Sequence, residues 1–171
     1  LGLDEVRQLN HRHKHPIPCY GSRECIEEIS ITFRYIFKKN HYSDLPRIDL
    51  RVIEEAFAIF DRTILPIPVM HAGNPIFGYR VNDFAYLTDV SFIPETSYPL
   101  LTGLKVLVLG ALRHKPHAGH FTLEQAVHTT RRIGAGATYF THMCHHLDHE
   151  ETNASLPEGI QLSYDGLALE L

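Results

Sequence analysis

The chain has 171 residues, a formal charge of −4, and a composition of 44% hydrophobic and 21% charged residues. That balance excludes a disordered chain, and the net acidity offers no basic field for tracking a nucleic-acid backbone. The longest apolar run, VLVLGAL at 106–112, has the length of a buried strand and not of a membrane span. Three cysteines, Cys19, Cys25 and Cys144, form an odd and sparse set that fits free thiols in a reducing, cytoplasmic setting. Thirteen histidines are far more than such a chain ordinarily carries.

No repeat or low-complexity stretch interrupts the sequence, so residues 1–171 read as one domain. LGLDEVRQLN has apolar residues at 1, 3, 6 and 9, a helical spacing that begins without a cap. GSRECIEEISITFRYIF predicts a helix over 21–37 with Ser22 as its cap. Residues 38–50 read as an irregular excursion. The β-branched residues and two prolines of RVIEEAFAIFDRTILPIPVMHAG favour strands over a helix. FGYRVNDFAYLTDV predicts a hairpin turned at Asn82-Asp83. A short helix over 95–102 ends at Gly103, and LKVLVLGAL follows as a buried strand. Thr122 caps a helix through residue 133, Gln125 completes a capping box, and Gly134 stops it. ATYFT is another buried strand, and IQLSYDGLALEL predicts a closing hairpin about Asp165-Gly166. Strands mixed with helices in this order imply layered α/β architecture, helices packed outside the sheets.

Three buried strands run into a residue that can hold a metal. PIPVM leads to His71, FAYLT to Asp89 and TYFT to His142. In layered α/β folds, ligands gather just beyond strand ends. The loop GALRHKPHAGHFTLEQA adds His114, His117 and His120 immediately before a helix whose free N–H groups favour an anion.

VMHAG, YLTDVSF, LVLGALRHKPHAGHFTLEQA and YFTHMCHHLDHE, in that order, resemble the later motifs of metallo-β-lactamase-fold hydrolases. Within that group the chain is most similar to the phosphoribosyl cyclic phosphate phosphodiesterase-like branch, a relative of the transfer-RNA 3′-processing endonucleases. The resemblance implies an α/β fold of the α+β, four-layer αββα sandwich type. It implies two divalent ions, zinc or manganese, with His71 as a terminal ligand, Asp89 as the bridge and His142 on the second ion. His120 is then the phosphate contact that assists the leaving group, and a small phosphodiester is the substrate. His145, His117 and Arg113 are secondary candidates beside the metals or the substrate, whereas His146 and His149 read as surface residues.

The family's H-x-H-x-D-H motif does not occur in the chain, and HRHKH at 11–15 lacks its Asp-His pair. LGLD stands where the family continues just after that motif. The expectation is therefore an N-terminally truncated domain, its C-terminal two-thirds, with weak metal binding and no activity as an isolated polypeptide. The parent protein would be the hydrolase, and uncovered sheet would favour a homodimer. Three other readings stay open on the sequence: a catalytically inactive structural homologue, a histidine-rich metal-binding module, and a transfer-RNA endonuclease, which the acidic balance disfavours.

Overall fold

A computed structural model describes residues 2–38 and 45–170. The chain divides into two compact units, Leu1–Glu55 and Ala56–Leu171. Among the described residues no helix is long and apolar enough to cross a membrane.

In the first unit, a 3₁₀ turn over Gly2–Glu5 leads into helix α1, Val6–His13. Strand β1, Ile17–Gly21, precedes helix α2, Arg23–Thr32, whose cap Ser22 accepts a hydrogen bond from the Cys25 N–H. The helix predicted over 21–37 does not run through. Phe33 leaves helical geometry (φ −106°), and a separate turn, α3, covers Arg34–Phe37. Strand β2, Ile48–Val52, pairs in parallel with β1, from Ile17 opposite Ile48 to Gly21 opposite Val52. The reading of 38–50 as irregular is thus corrected at its end, and residues 39–44 of it lie outside the described residues. Asn10, buried, anchors the pair: its side-chain oxygen accepts from the Arg47 N–H while its amide donates to the carbonyls of His15 and Arg47.

The second unit is built on one seven-stranded sheet. Its strands are β3 (Phe57–Ile59), β4 (Arg62–His71), β5 (Asn74–Val81), β6 (Phe84–Leu87), β7 (Val106–Gly110), β8 (Ala137–Thr141) and β9 (Ile160–Leu162), ordered as in the sequence. Strands β3 to β6 are antiparallel neighbours, whereas β6 to β9 are parallel. The β5–β6 hairpin turns at Asn82, in left-handed backbone at φ 53°, as expected of an Asn at a tight turn. Residues Glu95–Leu101 form a 3₁₀ helix rather than an α-helix. Helix α4, Leu123–Ile133, carries the predicted capping box between Thr122 and Gln125 and ends on Gly134 at φ 71°. Helix α5, His149–Ser155, is capped by Asp148.

The expected C-terminal hairpin is not formed. Among the described residues β9 pairs only with β8, in parallel, and the segment after it turns at Gly166 without a returning strand. The core lies on this sheet. Ile67, Val69, Leu87, Leu107, Leu109 and Phe140 are fully buried within one apolar cluster. Alternation along β4 and β6 sends Ile67, Val69 and Leu87 inward and leaves Pro68 and Tyr86 exposed, as a period of two demands.

Candidate metal centre

Strand direction decides where the site lies. Because β4 is antiparallel to β5 and β5 to β6, β4 runs the same way as β6, β7 and β8. The carboxyl ends of these four strands therefore share one sheet edge. His71 ends β4, Asp89 lies two residues past β6, His120 lies in the loop after β7, and His142 directly follows β8.

Backbone hydrogen bonds beyond the ladders fix these ends relative to one another. The Met70 N–H donates to the Phe92 carbonyl at 2.9 Å and the Ser91 N–H to the Met70 carbonyl at 2.8 Å, which registers Asp89 against His71. The Phe121 N–H donates to the Val90 carbonyl at 2.8 Å, which brings His120 to the same place. The Ala111 N–H donates to the Thr141 carbonyl and the Cys144 N–H to that of Leu112, both at 2.9 Å. The connections after β7 and β8 are thereby laced together.

Four side chains converge as a result. The Asp89 carboxylate lies 3.3 Å from His142 Nε2 and 3.9 Å from His120 Nδ1. The His120 ring packs between those of His71, His117 and His142, with centroids 4.7–4.8 Å away. His71, Asp89 and His120 each offer a ligand atom within 4.8 Å of the others. The sequence reading grouped His142, not His120, with His71 and Asp89; all four meet at Asp89.

Gly119, which the sequence reading passed over, organises the imidazoles. Its carbonyl lies 2.7 Å from His71 Nδ1, and its N–H donates to His117 Nδ1 at 3.1 Å. A carbonyl can only accept, so His71 carries its proton on Nδ1 and presents the Nε2 lone pair. A Cβ on residue 119 would stand 2.8 Å from His71 Cε1, so only glycine permits this approach. The glycine between two histidines was the available signal, but spacing alone does not separate it from an ordinary loop glycine.

Burial, chiefly, and then the neighbouring His142, His71 and His117 hold the His120 imidazole below its ordinary pKa, with Asp89 acting in the opposite sense. His120 Nδ1 is buried without a hydrogen-bond partner. Orphaned buried polar atoms are rare, and this one lies 3.9 Å from the Asp89 carboxylate among three other imidazoles. The donor set of nitrogens and one carboxylate fits zinc or manganese.

The secondary candidates are distributed differently. His117 touches His120 and the Gly119 N–H. Arg113 turns back on its own loop, donating to the Lys115 and Pro116 carbonyls. His145 stacks on His146 at 4.0 Å, and His146 Nδ1 lies 3.4 Å from Cys144 Sγ. His149 Nε2 lies 3.3 Å from the Ser163 carbonyl. All three cysteines are free.

Residues 1–143 match the β-lactamase superfamily domain. A solved diphosphatase of the PhnP family is 42% identical, with a TM-score of 0.88 over 98% of this chain and 64% of that one. An octanoyltransferase of Porphyromonas gingivalis is 33% identical over 97% of this chain, which spans 34% of that protein. The short form of human tRNase Z shares the fold, with a TM-score of 0.64 over 92% of this chain at 16% identity.

Proposed function

The chain belongs to the β-lactamase superfamily and has the metallo-β-lactamase fold, and from that premise we propose that the protein carrying it is a metal-dependent hydrolase of small phosphodiesters. One observation carries the reading: His71, Asp89, His120 and His142 meet at a single carboxylate on the carboxyl edge of the sheet. In the proposed assignment, Asp89, His71 and His142 are the residues that would hold divalent ions, Asp89 being the group common to them. Zinc or manganese in that cradle supplies Lewis acidity, making water nucleophilic at neutral pH and drawing charge from phosphate oxygens.

The chain's own groups do the rest. The Gly119 carbonyl locks the His71 tautomer, so its Nε2 stays a ligand atom and its ring does not rotate. The Asp89 carboxylate lies 3.3 Å from His142 Nε2, close enough for one ion to take both groups. His120, whose pKa burial lowers, would donate an N–H hydrogen bond to a phosphoryl oxygen; to act as the acid it would first take up the proton released by the attacking water and then deliver it to the leaving alkoxide.

The 42% identity to a diphosphatase supports chemistry at phosphorus. The octanoyltransferase activity belongs to a protein about a third of which this chain matches, and it is not carried over. The test is hydrolysis of bis(p-nitrophenyl) phosphate by the protein carrying this chain, stripped with EDTA and then supplied with Mn²⁺ or Zn²⁺. Turnover that appears only with metal is expected. No turnover with either metal would remove the phosphodiesterase reading.

A further inference from the structure

Strand β9 lies beyond β8 at the end of the sheet and runs parallel to it, so its carboxyl end reaches the edge that carries the metal cradle. The pairing does not stop with the strand. Phe140 stands opposite Leu162, and the next residue, Ser163, still donates its N–H to the Phe140 carbonyl at 2.8 Å. The Ser163 hydroxyl donates to the same carbonyl at 2.6 Å. Two residues past Phe140 comes His142, and two past Leu162 comes Tyr164. Tyr164 therefore takes the place beside His142 in the row of strand ends, about 5 Å away at the backbone by the spacing of paired strands. A tyrosine side chain is longer than that gap.

Local structure holds the residue there. The Leu167 N–H donates to the Tyr164 carbonyl at 3.1 Å and closes a tight turn, in which Gly166 takes the third position at φ 93°, where glycine is favoured. His149 Nε2 lies 3.3 Å from the carbonyl of Ser163, the residue before it. The turn residues of SYDGL thus serve to stop the chain at the sheet edge, with no returning strand. The side chain, by contrast, is left open. Tyr164 is 61% exposed, and among the described residues nothing hydrogen-bonds its hydroxyl or stacks on its ring. A pinned backbone that carries a free aromatic ring beside a metal-ligating histidine is suited to meet a ligand.

We infer that Tyr164 is a specificity residue of this site, its ring stacking on a planar aromatic or heterocyclic ester group of a phosphodiester held at Asp89 and His142. The cradle itself is made of nitrogens and a carboxylate, which address the phosphate and not its substituents. A phenol ring adds a rigid apolar face with few rotatable bonds, so a flat group gains by stacking on it where an alkyl group gains less. This substrate class rests on the hydrolase reading, but the binding preference is measured without turnover.

The test uses the protein carrying this chain, loaded with Zn²⁺ and titrated with phenylphosphonate or methylphosphonate, which have no ester bond to cleave and differ only in the flat group. Wild type should bind phenylphosphonate roughly fivefold more tightly, the scale of one aromatic contact. Tyr164→Ala should erase that preference and leave methylphosphonate affinity unchanged, whereas Tyr164→Phe, which keeps the ring, should retain it. Tyr86→Ala, at an exposed ring within β6, should change neither affinity. Adenosine 5′-monophosphate in the same titration separates a nucleobase from a simple aryl group, and the ligand that gains more through Tyr164 names the group. Equal affinity of the wild type for the two phosphonates, or a preference that survives Tyr164→Ala, would overturn the proposal. A preference that depends on Tyr164, in a protein that hydrolyses no phosphodiester with either metal, would instead overturn the hydrolase reading and leave Tyr164 as a ligand contact.

Discussion

Asp89 and His142 both occupy left-handed backbone, at φ 54° and 62°. Side chains pay about 1 kcal/mol or more for that region unless the surroundings impose it, and such residues collect at functional sites. Here the backbone turns sharply just after β6 and just after β8, which swings both side chains over the sheet edge. Beside them, His120 makes a testable contribution to stability. Its folded pKa lies below the ordinary 6.5, first through burial and then through the other histidines. A depressed imidazole pKa means that the unfolded chain binds the proton more readily. The stability is therefore present above the ordinary value and lost as pH falls through it towards the lower folded value. In EDTA, urea midpoints measured at pH 8 and pH 5.5 should fall more for the wild type than for His120→Asn. An equal fall in both would show that His120 does not feel this environment. The residue types at 71, 89 and 142 were legible in the sequence because each followed a strongly apolar run. The turn geometry at 89 and 142 was not, since Asp and His do not announce a positive φ as glycine does.

At the scale of elements, the β7–α4 connection is what makes a site of the sheet edge. Its helix is fixed by Thr122, Gln125 and Gly134, and its loop folds back so that the Gly119 peptide meets two imidazoles. Gly119→Ala should push the His71 ring off the Gly119 carbonyl, because the added carbon would stand 2.8 Å from Cε1. Zinc affinity should drop by roughly tenfold or more, as when a ligand's orienting partner is lost, while circular dichroism and thermal unfolding stay close to wild type. Unchanged affinity would remove Gly119 from the account. The capping box and the buried strands could be read directly, since local chemistry dictates them. Two elements could not. The β1–β2 pair joins segments some thirty residues apart through Ile17–Gly21 and Ile48–Val52, and neither segment shows clean alternation. At the other end, IQLSYDG has a hairpin's turn residues, but β9 finds its partner in β8 across α5 rather than in its own continuation. Non-local parallel pairing leaves no mark in a short window of sequence.

For the whole molecule, the change from antiparallel to parallel strands within one sheet is the functional fact. It gathers four carboxyl ends on one edge, and the order of the motifs along the chain becomes the order of ligands across the site. The resemblance carried by VMHAG, YLTDVSF and YFTHM thus reported a topology as well as a family. Sequence reading missed what the edge adds beyond ligand types: Gly119 as the organiser of the imidazoles. The central claim is that Asp89 is the common point of a metal cradle, and calorimetric titration of the chain with zinc tests it most directly. Wild type should show zinc binding whose tightest event disappears in Asp89→Asn, while His71→Ala and His142→Ala each remove only part of it. Zinc binding that survives unchanged in Asp89→Asn, or is absent from the wild type, would contradict the account.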